Sequence, residues 1–510
     1  MNGQILVDEL LAYAESHLSP DPLDIPYLKN RLLAALLLDA PAAAAADTAW
    51  VKELAIPDPL IEKLKAYALE EGLCEEGEEE IFATEIMGLL TPPPSAINRH
   101  YHKLFAEKGF EAAVSWFYNL CIYNDYIKKT AISRNIEWEY PDGETTLEVT
   151  INLSKPEKSN KDIAKLLTKK KSDEKYPACF LCQENEGYRG TLTHPARANL
   201  RTLSLTMGGE EWFVQYSPYA YYNEHCIAIS RAHAPMRVDE TTAEKLLDFV
   251  DAFPTYFIGS NAALPIVGGS ILNHEHFQGG GTRLPMQKAP IEKVYACPVE
   301  GVKVGRVCWY NSALRVEGKD RAAVSALTTK IILAWRAYEN PALGLLSHTG
   351  DVPHNTLAPI ARREGDLYVM DFILRNNRTN EQYPDGIYHA HPEYHNIKKE
   401  GIGLIEAMGR YILPGRLKRE LKEVEAYLTR QTPYDKEALG DSAHPLYVHR
   451  DMIASLLSEY PTALSAEEAE AAVIGRVNKV CAAILGNTAV FPRTEEGLAA
   501  FDAFIESTLA

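Results

Sequence analysis

Cysteine, basic charge and long apolar runs are all scarce in this 510-residue chain, and each scarcity closes off a class of protein. Eight cysteines are too few for a disulfide-stapled scaffold. Lys and Arg number 52 against 70 Asp and Glu, a net charge of −18. The summed field repels phosphate-rich polymers and surfaces, so neither nucleic acid nor membrane is an expected partner. No apolar run reaches the ~18 residues that cross a bilayer. Residues 1–11 carry Asp8 and Glu9 with no basic stretch ahead of an apolar core. A secretory leader is therefore not expected there, and the expected compartment is the cytoplasm. What is present is ordinary for a globular protein: 46% apolar and 24% charged residues.

The texture changes along the chain. Residues 1–135 read as helix, with apolar stripes through Leu10, Leu11, Tyr13 and Ala14 and through Ile61, Leu64, Ala68 and Leu69. Pro92-Pro93-Pro94 marks a stop and a fresh start. From 136 onward Leu147, Val149, Ile151 and Leu153 alternate with polar residues, the period of a half-buried strand. The basic stretch 155–175 reads as an exposed linker. Short strands and few helices follow to about 400, including a capping box at Thr241-Thr242-Ala243-Glu244. Beyond 402 the helical pattern returns, from Leu404 to Leu413 and again to the end. The fold class is α+β with helical ends.

The densest chemistry lies in Gly269-Ser270-Ile271-Leu272-Asn273-His274-Glu275-His276-Phe277-Gln278-Gly279-Gly280. If extended, it places Leu272, His274, His276 and Gln278 on one face, roughly 6–7 Å apart. An isolated His-x-His is a metal clip or a coincidence. The added Gln278 and the glycine exit, which lets a ligand approach the backbone, point to a working site. One imidazole can ligate a metal while its neighbour attacks phosphorus, given a hydrogen bond that fixes its tautomer. A primary amide can donate to a phosphoryl oxygen as charge redistributes.

His274-Glu275-His276-Phe277-Gln278 resembles the His-x-His-x-Gln signature of the galactose-1-phosphate uridylyltransferases, in the histidine-triad superfamily. Tyr221-Tyr222-Asn223-Glu224-His225-Cys226, Gly259-Ser260-Asn261-Ala262, Tyr188-Arg189-Gly190 and the run from Asn396-Ile397-Lys398-Lys399 to Glu406 are similar to stretches of the class II, bacterial form. The resemblance implies a ping-pong exchange. UDP-glucose gives its uridylyl group to His276 and releases glucose 1-phosphate; galactose 1-phosphate then takes the group and leaves as UDP-galactose. Gln278 is the matching amide. The family also implies a core of two related half-domains, 136–295 and 296–405, between helical regions 1–135 and 406–510. A homodimer and no organic cofactor are implied too.

Cys179 and Cys182 have the spacing of half a zinc site, but no second Cys-x-x-Cys exists, so further ligands must be His. A redox pair or two buried thiols are the rival readings. In related class I enzymes such a pair, a later His and the first His of the signature hold zinc, which carried over gives Cys179, Cys182, His233 and His274 as a structural site. A second His-x-His, His389-Ala390-His391, stands 115 residues on and lacks the Gln. It suits a duplicated half without a nucleophile, and His354 or His395 could join it around another metal; solvated or core-bonded histidines are the other reading. An acidic chain that binds sugar phosphates needs local cations. Arg375, Arg378, Lys398 and Lys399 flank this second pair, and Lys399 stands four residues before Gly403 as a hexose-phosphate lysine does in the related class. Asn261 and Ser270 are further phosphate candidates. A nucleotide phosphorylase or hydrolase of the same superfamily, and a non-catalytic zinc-stabilised binding protein, are the alternatives; hydrolases of that superfamily typically carry another His in place of Gln278.

Overall fold

The computed structural model describes residues 2–154, 176–269 and 271–510. The basic stretch 155–175 and Ser270 lie outside the described residues. The chain divides into two compact units, each assembled from separate stretches. One comprises residues 1–134, 154–234 and 274–280; the other comprises 135–153, 235–273 and 281–510.

The first unit opens with helices whose apolar stripes face inward. In Gly3–His17 the buried side is Leu6, Val7, Leu10, Leu11, Tyr13 and Ala14, and Asn2 caps the start by accepting from the amides of Gln4 and Ile5. The prolines act as the sequence suggests: Glu79–Leu90 stops, and Pro94–Lys108 begins with Pro94 in its first turn, where a missing N–H costs nothing. Buried Arg201 binds this junction to the segment that follows the cysteines, donating to the carbonyls of Gly88, Thr91 and Pro92. The unit's sheet is antiparallel, in the order Leu203–Met207, Glu210–Tyr216, Cys226–Ser230 and His276–Gly280. Trp212 stacks on Phe277 on one face, with ring centroids 5.0 Å apart.

In the second unit an antiparallel sheet runs Phe257–Gly259, Asn355–Glu364, Leu367–Asn376, Ala313–Gly318, Val302–Val307, Ile291–Tyr295. Its middle holds a buried ion triad: Asp371, wholly inaccessible, accepts from Arg315 Nε at 2.6 Å and from Arg362 Nη1. A smaller sheet pairs Ile136–Asp142 with Thr145–Ile151, and Arg410–Leu413 adds to the latter in parallel. The sequence pattern had placed 404–413 in helix. The helix ends at Ala407 because Gly409 takes φ 95°, and Tyr411 and Leu413 then alternate into the core. The capping box expected at Thr241 also differs: Asp239 accepts from Thr241, while Glu244 turns away to Arg321 and Ser325. Among the described residues no helix is long and apolar enough to cross a membrane.

Candidate active site

The Cys179–Cys182 turn is shaped by an amide that the sequence reading did not single out. Asn185 Nδ2 donates to the carbonyls of Cys179 and Cys182, both at 2.8 Å, and His194 Nε2 holds Asn185 Oδ1 at 2.6 Å. The thiols therefore point the same way, with their sulfurs 3.5 Å apart. His274 Nδ1 stands 3.2 Å from Cys179 Sγ and 3.7 Å from Cys182 Sγ, and His233 Nδ1 is 3.0 Å from Cys182 Sγ. All four ligand atoms fall within 4.8 Å of one another.

This donor set fits a tetrahedral cation. Bonds of about 2.3 Å to sulfur and about 2.0 Å to nitrogen place ligand atoms roughly 3.3–3.8 Å apart around zinc. The tautomer of His274 fits as well. Its Nε2–H donates to the carbonyl of Ser230 at 2.8 Å, leaving the Nδ1 lone pair among the sulfurs. Burial and the adjacent Cys179 push the Cys182 thiol up, and a bound cation would oppose that shift by favouring the thiolate.

His276 stands at the start of the His276–Gly280 strand. The sequence pattern carried that strand back to Leu272, with His274 on the face of His276. Instead His274 precedes the strand and its ring turns to the cysteines; only His276 and Gln278 share the strand's alternation. His276 Nδ1–H donates to the carbonyl of His274 at 2.8 Å. Nε2 is thereby the unprotonated nitrogen. Burial, with only 5% of His276 exposed, lowers its pKa, and outweighs the bond to the His274 carbonyl, which raises it. Near neutral pH the ring is a neutral base with its lone pair on Nε2. Gln278 is half-buried, and its Oε1 lies 3.3 Å from Nε2 of buried His225.

In the second unit three candidates gather about the Ile402-Gly403-Leu404 backbone. Asn261 Oδ1 accepts from the Leu404 amide at 2.9 Å. Arg375, 1% exposed, donates through Nη1 to the Ile402 carbonyl at 2.9 Å. His389, expected from the sequence only as part of the second histidine pair, accepts on Nε2 from the Ile402 amide at 3.2 Å. Arg375 Nε and Nη2, Asn261 Nδ2 and His389 Nδ1 have no hydrogen-bond partner among the described residues. Burial lowers Arg375 to about 10 and His389 to about 4, the latter helped by Arg375 itself. The result is a cluster of buried donors around one backbone strap. A Cβ at Gly269 would stand 2.8 Å from Asn261 Nδ2, so a side chain there would displace that amide.

Lys399 is exposed and makes no ion pair among the described residues. Lys398 is otherwise engaged, held at 3.1 Å by Glu406 and at 2.8 Å by the Ile412 carbonyl. Arg378 Nη1 is tied to the Gly344 carbonyl. Among the described residues the second His-x-His gathers no metal group. His391 stacks on Tyr383 with centroids 3.9 Å apart, His395 meets the Ala390 carbonyl and His354 meets Asn377. The cysteine–histidine set is the one potential metal group of this kind among the described residues.

Two family models match in succession: the galactose-1-phosphate uridyl transferase N-terminal domain over residues 30–235 and its C-terminal domain over residues 248–444. A galactose-1-phosphate uridylyltransferase of Caldanaerobacter subterraneus subsp. tengcongensis is 42% identical over 98% of this chain and 97% of its own. The chain belongs to the galactose-1-phosphate uridylyltransferase family. A second relative, from Clostridium acetobutylicum, is 43% identical over 88% of both chains, and one from Streptococcus pneumoniae serotype 4 is 42% identical over 98% of both. The former carries the same enzyme name, and the latter is named galactose-1-phosphate uridylyltransferase 2. A solved DUF4931 family protein from Bacillus cereus matches 34% of this chain at 9% identity with a TM-score of 0.24, a likeness from which nothing about this fold follows.

Proposed function

We propose that this protein moves a uridylyl group from UDP-glucose to galactose 1-phosphate through a covalent intermediate on His276. The single observation behind this is the bond from His276 Nδ1–H to the His274 carbonyl, which frees Nε2 as a nucleophile. Nε2 attacks the α-phosphorus; the bond to the bridging oxygen breaks, and glucose 1-phosphate leaves with the electron pair. A phosphate oxygen of galactose 1-phosphate then attacks the same phosphorus, the P–N bond breaks, and UDP-galactose leaves. Each leaving group is weakly basic, so no strong general acid is required. Gln278 donates its amide N–H to a nonbridging oxygen as charge shifts there.

Cys179, Cys182, His233 and His274 would hold zinc, which supplies rigidity here: it fixes His274, whose carbonyl aims His276. In the second unit Arg375, Asn261 and Lys399 are assigned to the sugar phosphate, with Ser270 as a further phosphate contact. The buried, unspent donors of Arg375 and Asn261 support this, since each costs about 1–3 kcal/mol until an acceptor arrives. The same reading includes a core of two related half-domains, 136–295 and 296–405. It also includes a cytoplasmic homodimer.

The test is isotope exchange. Labelled glucose 1-phosphate, incubated with UDP-glucose and enzyme alone, should enter UDP-glucose without galactose 1-phosphate. A requirement for the second sugar phosphate would contradict a covalent first half-reaction.

A further inference from the structure

The turn before the Cys226–Ser230 strand is built against the end of the histidine strand. Tyr222 OH donates to the Gly279 carbonyl at 3.2 Å, and the Ser217 amide meets the His225 carbonyl at 2.8 Å. A Cβ at Gly280 would come within 2.7 Å of the Glu224 carbonyl and 2.9 Å of the Tyr222 ring, so a side chain there would push the turn away. Within the turn the His225 ring is stacked on Tyr221, centroids 5.3 Å apart at 25°, and tilted against Tyr222 at 4.7 Å. Only 3% of His225 is exposed. Ile227 is opposite Gln278 in the ladder, and the His225 side chain reaches Gln278 from two residues earlier.

A carboxamide has two ends of nearly equal shape and opposite polarity. Only its NH₂ end assists a phosphoryl oxygen; the carbonyl end repels it. Which end faces the substrate is decided by what the other end meets. The nearest decision-maker is His225 Nε2, 3.3 Å from Oε1. With its proton on Nε2 the ring donates to Oε1 and turns Gln278 Nε2 outward. A proton on Nδ1 alone would favour the opposite amide orientation.

We infer that His225 is a positioning residue for uridylyl transfer, holding Gln278 Oε1 so that Gln278 Nε2 faces the phosphoryl oxygen. This rests on the reading of Gln278 as the phosphoryl donor. His225→Phe keeps a ring between the tyrosines but removes the N–H, whereas His225→Gln returns an N–H at similar reach. Rapid-quench rates of both half-reactions, at saturating substrate, separate positioning from mere support of the turn. His225→Phe should slow both about tenfold and leave the KM for galactose 1-phosphate within about twofold, with His225→Gln recovering most of the rate. In a Gln278→Ala background, His225→Phe should cost less than about twofold more, because the two act as one unit. Zinc content and melting midpoint should match wild type. Should the Phe variant fold poorly, His225→Asn, whose donor falls short of Oε1, makes the same comparison. Undiminished rates in His225→Phe alongside a slow Gln278→Ala would overturn the inference alone. A loss of the same size with and without Gln278 would do so too. A wild-type rate in Gln278→Ala would overturn the reading of Gln278 itself.

Discussion

His276 donates its Nδ1–H to the carbonyl of His274, 2.8 Å away, while the ring of His274 points its own Nδ1 at two cysteine sulfurs. One residue thus ties a metal-type donor cluster to the orientation of the next imidazole. Whatever loosens the cluster should loosen the carbonyl that sets the tautomer of His276.

Cys182→Ser removes one of four converging donors. Purified wild-type protein should carry about one zinc per chain, and the variant markedly less, with a lower melting midpoint and slower uridylylation together. Metal analysis beside calorimetry reads this. Metal-free wild-type protein that melts unchanged and keeps full activity would detach the cluster from the function.

Arg375 is costly as it stands, a guanidinium buried with two unspent donors. Arg375→Met should therefore leave the ligand-free protein at least as stable as wild type, since replacing a buried unpaired charge by an apolar chain relieves desolvation. Galactose 1-phosphate should raise the wild-type midpoint and lose much of that effect in the variant. Lys399→Ala, on an exposed residue, should weaken galactose 1-phosphate binding by on the order of ten- to a hundredfold and leave UMP inhibition nearly unchanged.

The folded pKa of His389, about 4, lies below its ordinary value because burial disfavours the imidazolium. Its contribution to stability is fully present above the unfolded value of about 6.5 and is lost as pH falls through 4, where the unfolded chain takes the proton first. Across that window it amounts to up to about 3 kcal/mol. Urea melts at pH 7.5 and pH 5 should show wild type losing more stability than His389→Gln, which keeps an acceptor for the Ile402 amide. Equal losses would place the sensitivity elsewhere.

How far the residues alone led can be judged from these same groups. Alternation made the strand legible for His276, Phe277 and Gln278 but not for His274, which was expected on the same face and instead precedes the strand and turns to the cysteines. The four candidate cysteine and histidine ligands were reached through spacing and resemblance, and the fold brings their donor atoms within 4.8 Å of one another. His389-Ala390-His391 has the same letters as the first pair but not its setting: stacking on Tyr383 and local carbonyl bonds hold it in an irregular segment. Lys398 and Lys399 are adjacent in sequence, yet a loop sends one to Glu406 and the other to solvent, a difference no composition reveals. His225 stood in a recognisable stretch, but its partner Gln278 is set by cross-strand register fifty-three residues away. Helix 404–413 failed for a local reason, the positive φ of Gly409.

Asp371→Asn should cost about 3–5 kcal/mol in denaturant stability, because Arg315 and Arg362 would keep their burial without their shared carboxylate. Activity per folded molecule should persist. A change within about 0.5 kcal/mol would mean that the triad is not what holds the centre of that sheet.

The most direct measurement is intact-protein mass spectrometry after mixing with UDP-glucose. The wild-type chain should gain one uridylyl mass, lost in acid as a phosphoramidate is, and returned to UDP-galactose on adding galactose 1-phosphate; His276→Gly should gain none. A His276→Gly protein that carries the adduct, or turns over near the wild-type rate, would contradict the account.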